Sequence, residues 1–331
     1  MTTKSDSSGI SQRTNVYAER KMLEHAMPTM ILEKFATSKP MPTNKSATIK
    51  FRRPITFTAS DTPLVEGVTP TATAFAYEDV SVSLKQYGQV VEITDVIEDL
   101  HEDPVLNDAS EQCGDNIGRT MEALNFGVVR AGTAVVYANG SARTDVNTII
   151  TLGKQRAIIR ALKTQKAKKI TKILSASQAY GTSSIEAAYV AVGHTDLEND
   201  IRGLAGFIPV ASYGNRSVIC PEEIGAVEDV RYILSADLGS WADGGGAKGL
   251  MESTTGTSAD VYPVIYFGEN AFGNVALRGH GAVSPSIIPV GLKTKEDPLG
   301  QRGVVGWKAY HASLILNQAW MQRLEVAVTA L

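Results

Sequence analysis

The segment His194-Thr195-Asp196-Leu197-Glu198 brings an imidazole and two carboxylates within five residues. Side chains of these types could exchange protons as a general acid and base, or bind a metal ion. The same spacing also predicts the start of a helix, because Thr195 and Glu198 form a capping box and Asp196 places a negative charge in the first turn. We favour this structural interpretation and keep the catalytic one as an alternative.

The other histidines and the glycine-rich segment provide no catalytic motif. The five histidines are scattered along the chain, at His25, His101, His194, His280 and His311. No His-x-x-x-His, Cys-x-x-Cys or Gly-x-Ser-x-Gly motif connects them. Gly244–Gly249 contains a lysine but lacks the spacing of a phosphate-binding loop. We therefore expect no catalytic residue, metal site or cofactor, and an α+β enzyme with a mobile lid at Gly239–Ala259 is the least favoured alternative.

Two charged stretches each allow a binding interpretation and a structural one. Acidic residues at positions 92, 95, 98, 99, 102 and 103 could bind a cation, but they also complement the N-terminus of a helix that follows. Lysines recur at Lys163, Lys166, Lys168, Lys169 and Lys172. We interpret them as a solvated face, with a DNA-facing patch as the alternative. The net charge of −3 argues against coating of nucleic acid by charge alone.

The composition is that of a globular protein without a membrane segment. With 43% hydrophobic residues among 331, the chain is long enough for two domains or for one domain with large excursions. Cys113 and Cys220 are too distant in sequence for a metal knuckle and too few for a disulfide framework, which fits a reducing cytoplasm. No apolar run reaches the roughly 18 residues of a membrane helix, and Met1–Gly9 has no apolar signal core, so we expect no membrane partner.

A long helix is predicted from Asp103 to Asn139, and the other elements must be arranged around it. Apolar residues from Leu106 to Val135 follow steps of three and four, which is the repeat of one helix face. Asp103 and Pro104 are typical of a helix start, and Asn139-Gly140 is typical of a helix end. At about 1.5 Å per residue the helix would be roughly 50 Å long.

An arm and a two-stranded loop are predicted before this helix. Helical spacing from Thr14 to Phe35, interrupted at Pro28, predicts the arm. Alternating side chains predict two strands, at 47–57 and 80–93, with a bulge at Gly88 where the alternation changes phase. Thr58–Tyr77 would form a long tip between them. Because an isolated two-stranded hairpin is only marginally stable, we expect these strands to pack against a neighbouring surface.

Helices and short strands alternate after the long helix, which predicts an α+β region. The predicted helices are Thr151–Ala167, a short helix from Thr195, and Pro221–Leu234. The predicted strands are Ala188–Val192, Ser217–Cys220, Val261–Phe267, Ser286–Lys293 and Trp307–Leu316. The chain ends in the apolar segment Leu324–Leu331.

The order of these parts resembles the tailed-phage major capsid protein. Short motifs distributed over nearly the whole chain carry the same resemblance. They are Arg13-Thr14-Asn15-Val16-Tyr17, Leu64-Val65-Glu66-Gly67-Val68-Thr69-Pro70, Tyr87-Gly88, Val230-Arg231-Tyr232-Ile233-Leu234, Asp297-Pro298-Leu299-Gly300-Gln301-Arg302-Gly303 and Gly306-Trp307-Lys308. Shell proteins of bacterial nanocompartments, the encapsulins, are similar and share this fold.

The resemblance implies an α+β fold with an N-arm, an extended β-hairpin loop, a peripheral domain with a long spine helix, and an axial domain near the centre of the pentamer or hexamer. The implied domains are residues 1–46 (N-terminal arm), 47–94 (extended two-stranded loop), 95–187 (peripheral domain with spine helix 103–139), 188–299 (axial domain) and 300–331 (C-terminal strands that return to the peripheral domain). The resemblance assigns no cross-linking residues.

The implied function is structural: the chain would self-assemble into an icosahedral shell around double-stranded viral DNA. Other copies of the chain, scaffolding, portal and decoration proteins, and DNA are the expected partners. The protein would belong to the virion capsid and assemble in the host cytoplasm, and an encapsulin-like compartment for a cargo enzyme is the alternative. The residues expected at contacts between subunits are Tyr17, Phe51, Arg52, Arg53, Leu64, Val65, Glu66 and Tyr87.

Overall fold

The computed structural model describes most of the chain from residue 30 onward. The described ranges are 30–42, 46–55, 57–61, 63–64, 66–100, 105–170, 187–213, 218–277, 283–293 and 297–331. Most of the predicted arm helix, Thr14–Phe35, lies outside these ranges. Its described end forms one turn of 3-10 helix at Leu32–Lys34.

Helices and strands both contribute to the fold, so the α+β prediction is confirmed. The α-helices of the described ranges are α1 (Asp95–Leu100), α2 (Val105–Arg130), α3 (Leu152–Thr164) and α4 (Glu198–Arg202). The strands are β1 (Thr37–Ser38), β2 (Thr48–Pro54), β3 (Tyr77–Ser83), β4 (Lys85–Thr94), β5 (Val135–Tyr137), β6 (Tyr189–Gly193), β7 (Phe207–Pro209), β8 (Glu223–Val227), β9 (Val230–Leu234), β10 (Tyr262–Phe267), β11 (Phe272–Ala276), β12 (Val283–Ile288), β13 (Arg302–Ile315) and β14 (Met321–Val326).

The strands form two sheets and a separate hairpin. One sheet has the order β1-β11-β13-β12, and β4 also pairs with the long strand β13. The other has the order β5-β14-β10-β6-β9-β8-β7, so its strands come from distant parts of the sequence. Strands β2 and β3 form an antiparallel hairpin and pair with no other strand of the described ranges. A two-stranded loop is therefore present as predicted, but the predicted second strand, 80–93, is divided between β3 and β4, and β4 belongs to the sheet of β13. The five domain boundaries stay a prediction.

Helix α2 connects the hydrophobic cores of the two sheets. Its N-terminal and central turns bury Cys113, Ile117 and Met121 against residues of β4, β12 and β13. Its C-terminal half contributes Phe126 and Val129 to a second core, which includes buried residues of β6, β9 and β10. The apolar stripe on this helix therefore has the packing role that its periodicity predicts.

The long helix ends earlier than predicted, at Arg130 instead of Asn139. Gly132 lies so close to β14 that an added Cβ atom would come within 2.7 Å of the Met321 side chain. Val135–Tyr137 then pairs with β14 as a parallel strand, because its backbone N–H and C=O groups find partners in the sheet. The predicted start at Asp103 and Pro104 lies outside the described residues.

The change of phase near Gly88 has a different cause from the predicted bulge. Strands β4 and β13 pair in continuous register through Gly88, which faces Lys308. The phase changes at Leu84, where the chain leaves the β2–β3 hairpin and enters the sheet that contains β13. Gly88 instead allows close approach, since a Cβ atom there would lie 2.6 Å from the Trp307 carbonyl oxygen.

The predicted helix at Pro221–Leu234 is wrong, because these residues form the antiparallel strands β8 and β9. All five residues of β9 are buried, and a short apolar run of this kind does not distinguish a buried strand from a helix. Glu228 has a φ of 53° and forms the turn between the strands. The described residues of the predicted strand Ser217–Cys220 also form no strand.

Several other sequence predictions agree with the structure. Helix α3 follows Thr151, whose side chain caps it by accepting a hydrogen bond from the Lys154 backbone N–H. Strands β6 and β10 lie where strands were predicted, and β13 begins five residues earlier than predicted. Strand β12 begins three residues and ends five residues earlier than predicted. Strand β11 was not predicted, although Phe272 and Val275 in it are fully buried.

Candidate functional site

The histidine and carboxylates at 194–198 form the start of a helical segment. His194 rather than Thr195 is the cap, because its Nδ1 atom accepts a hydrogen bond of 3.2 Å from the Asp196 backbone N–H. Tyr262 donates to Asp196 at 2.8 Å, and burial together with this carboxylate raises the pKa of the phenol. Glu198 pairs with Arg202 on α4 at 2.7 Å. Each polar group has a structural partner, which supports the structural interpretation.

The glycine-rich segment is packed against its neighbours and does not surround an open phosphate site. A Cβ atom at Gly245 would lie 2.2 Å from the Val146 carbonyl oxygen. Asp260 fixes the segment by accepting hydrogen bonds from the backbone N–H groups of Asp243, at 2.7 Å, and Thr254, at 3.1 Å. In the described part of the chain, no three His, Cys, Asp or Glu side chains are grouped so that they could hold a metal ion.

The lysines after position 162 lie next to acidic residues. Lys163 pairs with Asp229 at 2.6 Å and Lys169 pairs with the same carboxylate at 3.0 Å, and these contacts lower the pKa of Asp229. Lys166 lies just after the C-cap of helix α3 and has a left-handed backbone conformation, with a φ of 53°. Lys168 is exposed, and Lys172 lies outside the described residues. The patch therefore carries both signs of charge, and its contact with DNA stays a prediction.

The tip of the β2–β3 hairpin exposes large apolar side chains. Phe57 and Phe75 are 53% and 55% exposed, and Leu64 is 78% exposed. Phe75 contacts Phe57 and Tyr77, with ring centroids 5.9 and 4.6 Å apart. These contacts form an aromatic group on the hairpin that no other described part of the chain covers. Large apolar groups exposed in this way are typical of surfaces that bind another protein.

The base of the hairpin, in contrast, is held by its own subunit. Phe51 is half-buried and packs against a small core under β11 and β13. Arg52 pairs with Asp79 across the hairpin at 2.7 Å, and Arg53 pairs with Glu78. The cross-strand ion pairs fix the register of the two strands and are open to solvent, so each contributes little to stability. These three predicted contact residues therefore have partners within the chain.

The other predicted contact residues lie in different environments. Leu64 and Glu66 are exposed at the tip of the hairpin. Tyr87 is half-buried and packs against the core between α2 and the sheet. Tyr17 and Val65 lie outside the described residues. The six described positions therefore do not form a single patch. The contacts of all eight residues with other subunits stay a prediction.

Glu122 is an important residue that sequence reasoning missed. It is fully buried on α2, and its carboxylate accepts hydrogen bonds from the backbone N–H groups of Ile31, at 3.1 Å, and Leu32, at 3.1 and 3.2 Å. Burial raises its pKa to about 7, and Asp237 and Glu33 act in the same direction. The sequence shows only an acidic residue next to the apolar stripe residue Met121, which does not identify the backbone groups that it binds.

The hairpin tip therefore extends beyond the cores, whereas Glu122 attaches the buried residues Ile31 and Leu32 to α2. None of the helices in the described ranges is long and apolar enough to cross a bilayer. The exposed hairpin tip can bind another protein surface. The polar side chains of 194–198 are already used for helix capping and ion pairing.

Comparisons with known proteins agree with this arrangement. The chain matches the phage capsid protein family over residues 77–323. Its structure is similar to the capsid of Ralstonia phage GP4, with a TM-score of 0.67, 11% identity, and coverage of 92% of this chain and 93% of that one. It is similar to the capsid asymmetric unit of cyanophage Pam1, with a TM-score of 0.61, 12% identity, and coverage of 100% and 97%.

A cellular shell protein has the same fold. The chain is similar to the holo-SrpI encapsulin complex from Synechococcus elongatus, with a TM-score of 0.55, 11% identity, and coverage of 93% of this chain and 91% of that one. No curated protein sequence matches the chain. Identities this low show the fold alone, whereas the family match includes most of the chain. The chain therefore belongs to the phage capsid protein family and is a structural protein of the bacteriophage capsid.

Proposed function

We propose that the chain assembles as pentamers and hexamers into an icosahedral shell that encloses double-stranded viral DNA. The observation that carries this proposal is the hairpin, whose apolar tip has no partner in the described part of its own subunit. Burial of such side chains against a second copy would release about 25 cal/mol for each Å² removed from water. Leu64, Glu66 and the aromatic group of Phe57, Phe75 and Tyr77 are the contact residues that we propose.

The proposed tip contact explains why the base of the hairpin is fixed by contacts within the subunit while its tip is exposed to solvent. Cross-strand ion pairs and the small core around Phe51 hold the base in one orientation. The tip is then presented at a fixed place, and less conformational entropy is lost when it binds. Scaffolding, portal and decoration proteins would be further partners, and assembly would take place in the host cytoplasm.

Shortening the tip should prevent assembly but preserve the subunit fold. Replacement of residues 58–76 with a short Gly-Ser turn removes no core residue among the described positions of this segment, and loop length has little effect on fold stability. We expect the variant to unfold within a few degrees of the parent and to yield no closed shells by negative-stain electron microscopy.

A variant with a Gly-Ser sequence of unchanged length at 58–76 is the matched control. It separates the length of the tip from its apolar side chains, and we expect it to assemble poorly as well. Normal shells from both variants would contradict the proposed tip contact.

An encapsulin-like compartment is the second candidate, because the holo-SrpI encapsulin complex has the same fold. The contents of particles distinguish the two functions. Particles purified from cells in which the chain is expressed from its natural genome should contain nuclease-protected double-stranded DNA. Particles that contain a protein cargo and no protected DNA would contradict the viral function and support the compartment.

A further inference from the structure

A groove at the base of the β2–β3 hairpin is lined by partly exposed apolar side chains. Phe51 and Val80 line it from the hairpin, and Leu316 and Trp320 line it from the segment after β13. The Trp320 ring is fixed, because its Nε1 atom donates a hydrogen bond of 3.1 Å to the Gln165 carbonyl oxygen. The groove has a volume of about 250 Å³. Pockets for small molecules usually have about 300–1,000 Å³, so this groove suits one large side chain.

The rim of the groove carries a positive charge. Lys39, Arg52 and Arg53 line it. Each arginine is paired with an acidic residue of β3, whereas Lys39 lies over the Phe51 ring, 5.2 Å from its centroid, and pairs with no described carboxylate. One positive charge is therefore left uncompensated beside an apolar floor. A complementary partner combines a large apolar side chain with negative charge.

The hairpin tip has this combination. Residues 57–76 contain two acidic residues, Asp61 and Glu66, and no lysine, arginine or histidine. Leu64 lies between these two carboxylates and is 78% exposed, which is more than any other described apolar side chain of the tip. The aromatic residues of the tip are less exposed, because they contact one another. Leu64 is therefore the side chain best placed to enter an apolar groove with a positive rim.

The tip of the hairpin points away from the groove at its own base. Strands β2 and β3 stay paired as far as Pro54 and Tyr77, and the Ile55 backbone N–H continues the ladder by donating a hydrogen bond of 3.0 Å to the Ala76 carbonyl oxygen. The paired strands thus lead the chain outward beyond Arg53. A second copy of the chain is therefore the source of the side chain that fills the groove.

We propose that Leu64 of one subunit enters this groove on the next subunit, where the acidic residues of the tip contact Lys39. The tip and the groove are different surfaces, so each copy provides one and accepts the other. Such a head-to-tail contact generates a ring where the rotation between copies closes. This inference rests on the proposed function and names the surface to which the tip binds.

The larger groove between helix α2 and strand β4 is less suitable for the tip. It has a volume of about 540 Å³ and an apolar floor, but its rim carries Asp108, Asp115 and a single basic residue, Arg119. Arg119 in turn lies 3.9 Å from Asp237. This rim is acidic and would repel an acidic tip, because like charges placed together oppose association.

Exchange of the two charges tests the contact. Lys39→Glu and Glu66→Lys each place like charges together, and we expect each to lower the yield of closed shells at least about tenfold. The double variant restores opposite charges and should assemble within about threefold of the parent. Both positions are exposed, so the subunit should keep its unfolding temperature. Glu66→Lys combined with Lys293→Glu, at an exposed position outside the groove, is the matched control and should not recover assembly.

Disulfide cross-linking in assembled shells locates the tip directly. Leu64→Cys is combined with Leu316→Cys in the proposed groove, or with Gln112→Cys at the rim of the larger groove. Leu64→Cys alone measures the background from the native thiols of Cys113 and Cys220, which are both buried. We expect a ladder of linked chains with Leu316→Cys at a yield at least about tenfold above the other two, because the groove raises the local concentration.

The outcomes separate this inference from the proposed function. Shells in which Leu316→Cys links no more chains than Gln112→Cys would overturn the inference and leave the proposed function intact. Failure of the double charge exchange to recover assembly, or equal recovery with the Lys293→Glu control, would overturn it in the same way. A parent chain that forms no shells would contradict both.

Discussion

Glu122→Ala should lower the free energy of unfolding by about 3 kcal/mol and release the arm at residues 30–35 from α2. The side chain accepts hydrogen bonds from two buried backbone N–H groups, at Ile31 and Leu32. Alanine would leave both donors without a partner, and each buried unsatisfied donor costs about 1–3 kcal/mol. Loss of the side chain would also leave a small cavity next to Leu32, which is fully buried.

Chemical denaturation and limited proteolysis measure the two effects. The unfolding midpoint in urea reports the loss of stability, and cleavage near Lys34 and Lys39 reports release of the arm. Asp108→Asn, at an exposed position of the same helix, is the control and should change stability by less than about 1 kcal/mol. If Glu122→Ala behaved like this control, the attachment of the arm by Glu122 would be refuted.

The same carboxyl group should make stability depend on pH near neutrality. The pKa of Glu122 is raised to about 7, mainly by burial, from an ordinary value of 4.5. Its contribution is therefore fully present below pH 4.5 and is lost as the pH rises through about 7. His311 acts in the opposite sense, because burial lowers its pKa and its contribution is lost as the pH falls.

Glu122→Gln isolates this contribution, because glutamine keeps an acceptor oxygen but does not ionise. The parent should lose stability relative to Glu122→Gln between pH 5 and pH 8, while the effect of His311 cancels in the difference. Unfolding in urea at several pH values gives the comparison. Parallel pH profiles for the two proteins would show that Glu122 does not titrate in this range.

The sequence predicted the elements whose pattern matches their local geometry. The apolar stripe of α2 gave the helix, and alternating side chains gave the β2–β3 hairpin, because each element turns one apolar face toward a core. Strand β10 has no such alternation, because it is buried on both faces and its residues alternate between two cores. The sequence predictions failed where pairing with a strand that is distant in sequence overrides the local pattern. Residues Val135–Tyr137 continue the helical spacing, but backbone hydrogen bonds with β14 make them a strand.

The sequence predicted the candidate functional sites less completely than it predicted the helices and strands. The structural interpretation of 194–198 was correct in kind, while the capping atom is the His194 imidazole instead of the Thr195 hydroxyl. The role of Glu122 could not be predicted, since its partners lie 90 and 91 residues away in the chain. Ion pairs such as Lys163–Asp229 were also missed for this reason, because the pairing depends on the turn between β8 and β9.

Glu325→Gln should be strongly destabilising, by about 3–5 kcal/mol. Glu325 is fully buried on β14, and its carboxylate accepts hydrogen bonds from Arg143 at 2.7 and 2.9 Å and from Arg323 at 2.8 Å. Arg143 also stacks on Trp241, at 3.6 Å from the ring centroid. Removal of the charge from a buried ion pair leaves the opposite charges uncompensated, which costs about this amount. Urea denaturation measures the loss.

The exposed pair between Glu198 and Arg202 provides the matched control. Both side chains are more than 40% exposed, so Glu198→Gln should cost less than about 1 kcal/mol. A similarly small effect of Glu325→Gln would contradict the role of its charge in the core.

A third guanidinium, that of Arg130, provides a test of whether the destabilisation by Glu325→Gln is electrostatic. Arg130 lies 4.8 Å from the centroid of Trp241, and burial together with Arg143 and Arg323 lowers its pKa. Two of the three guanidinium groups, those of Arg143 and Arg323, pair with Glu325, and the third lies close enough to both to repel them. Arg130→Met in the Glu325→Gln background should recover part of the lost stability, because it removes repulsion and keeps most of the apolar stem. Since the Arg130 backbone carbonyl still accepts from Arg323, a failure to recover would assign the loss to hydrogen-bond geometry.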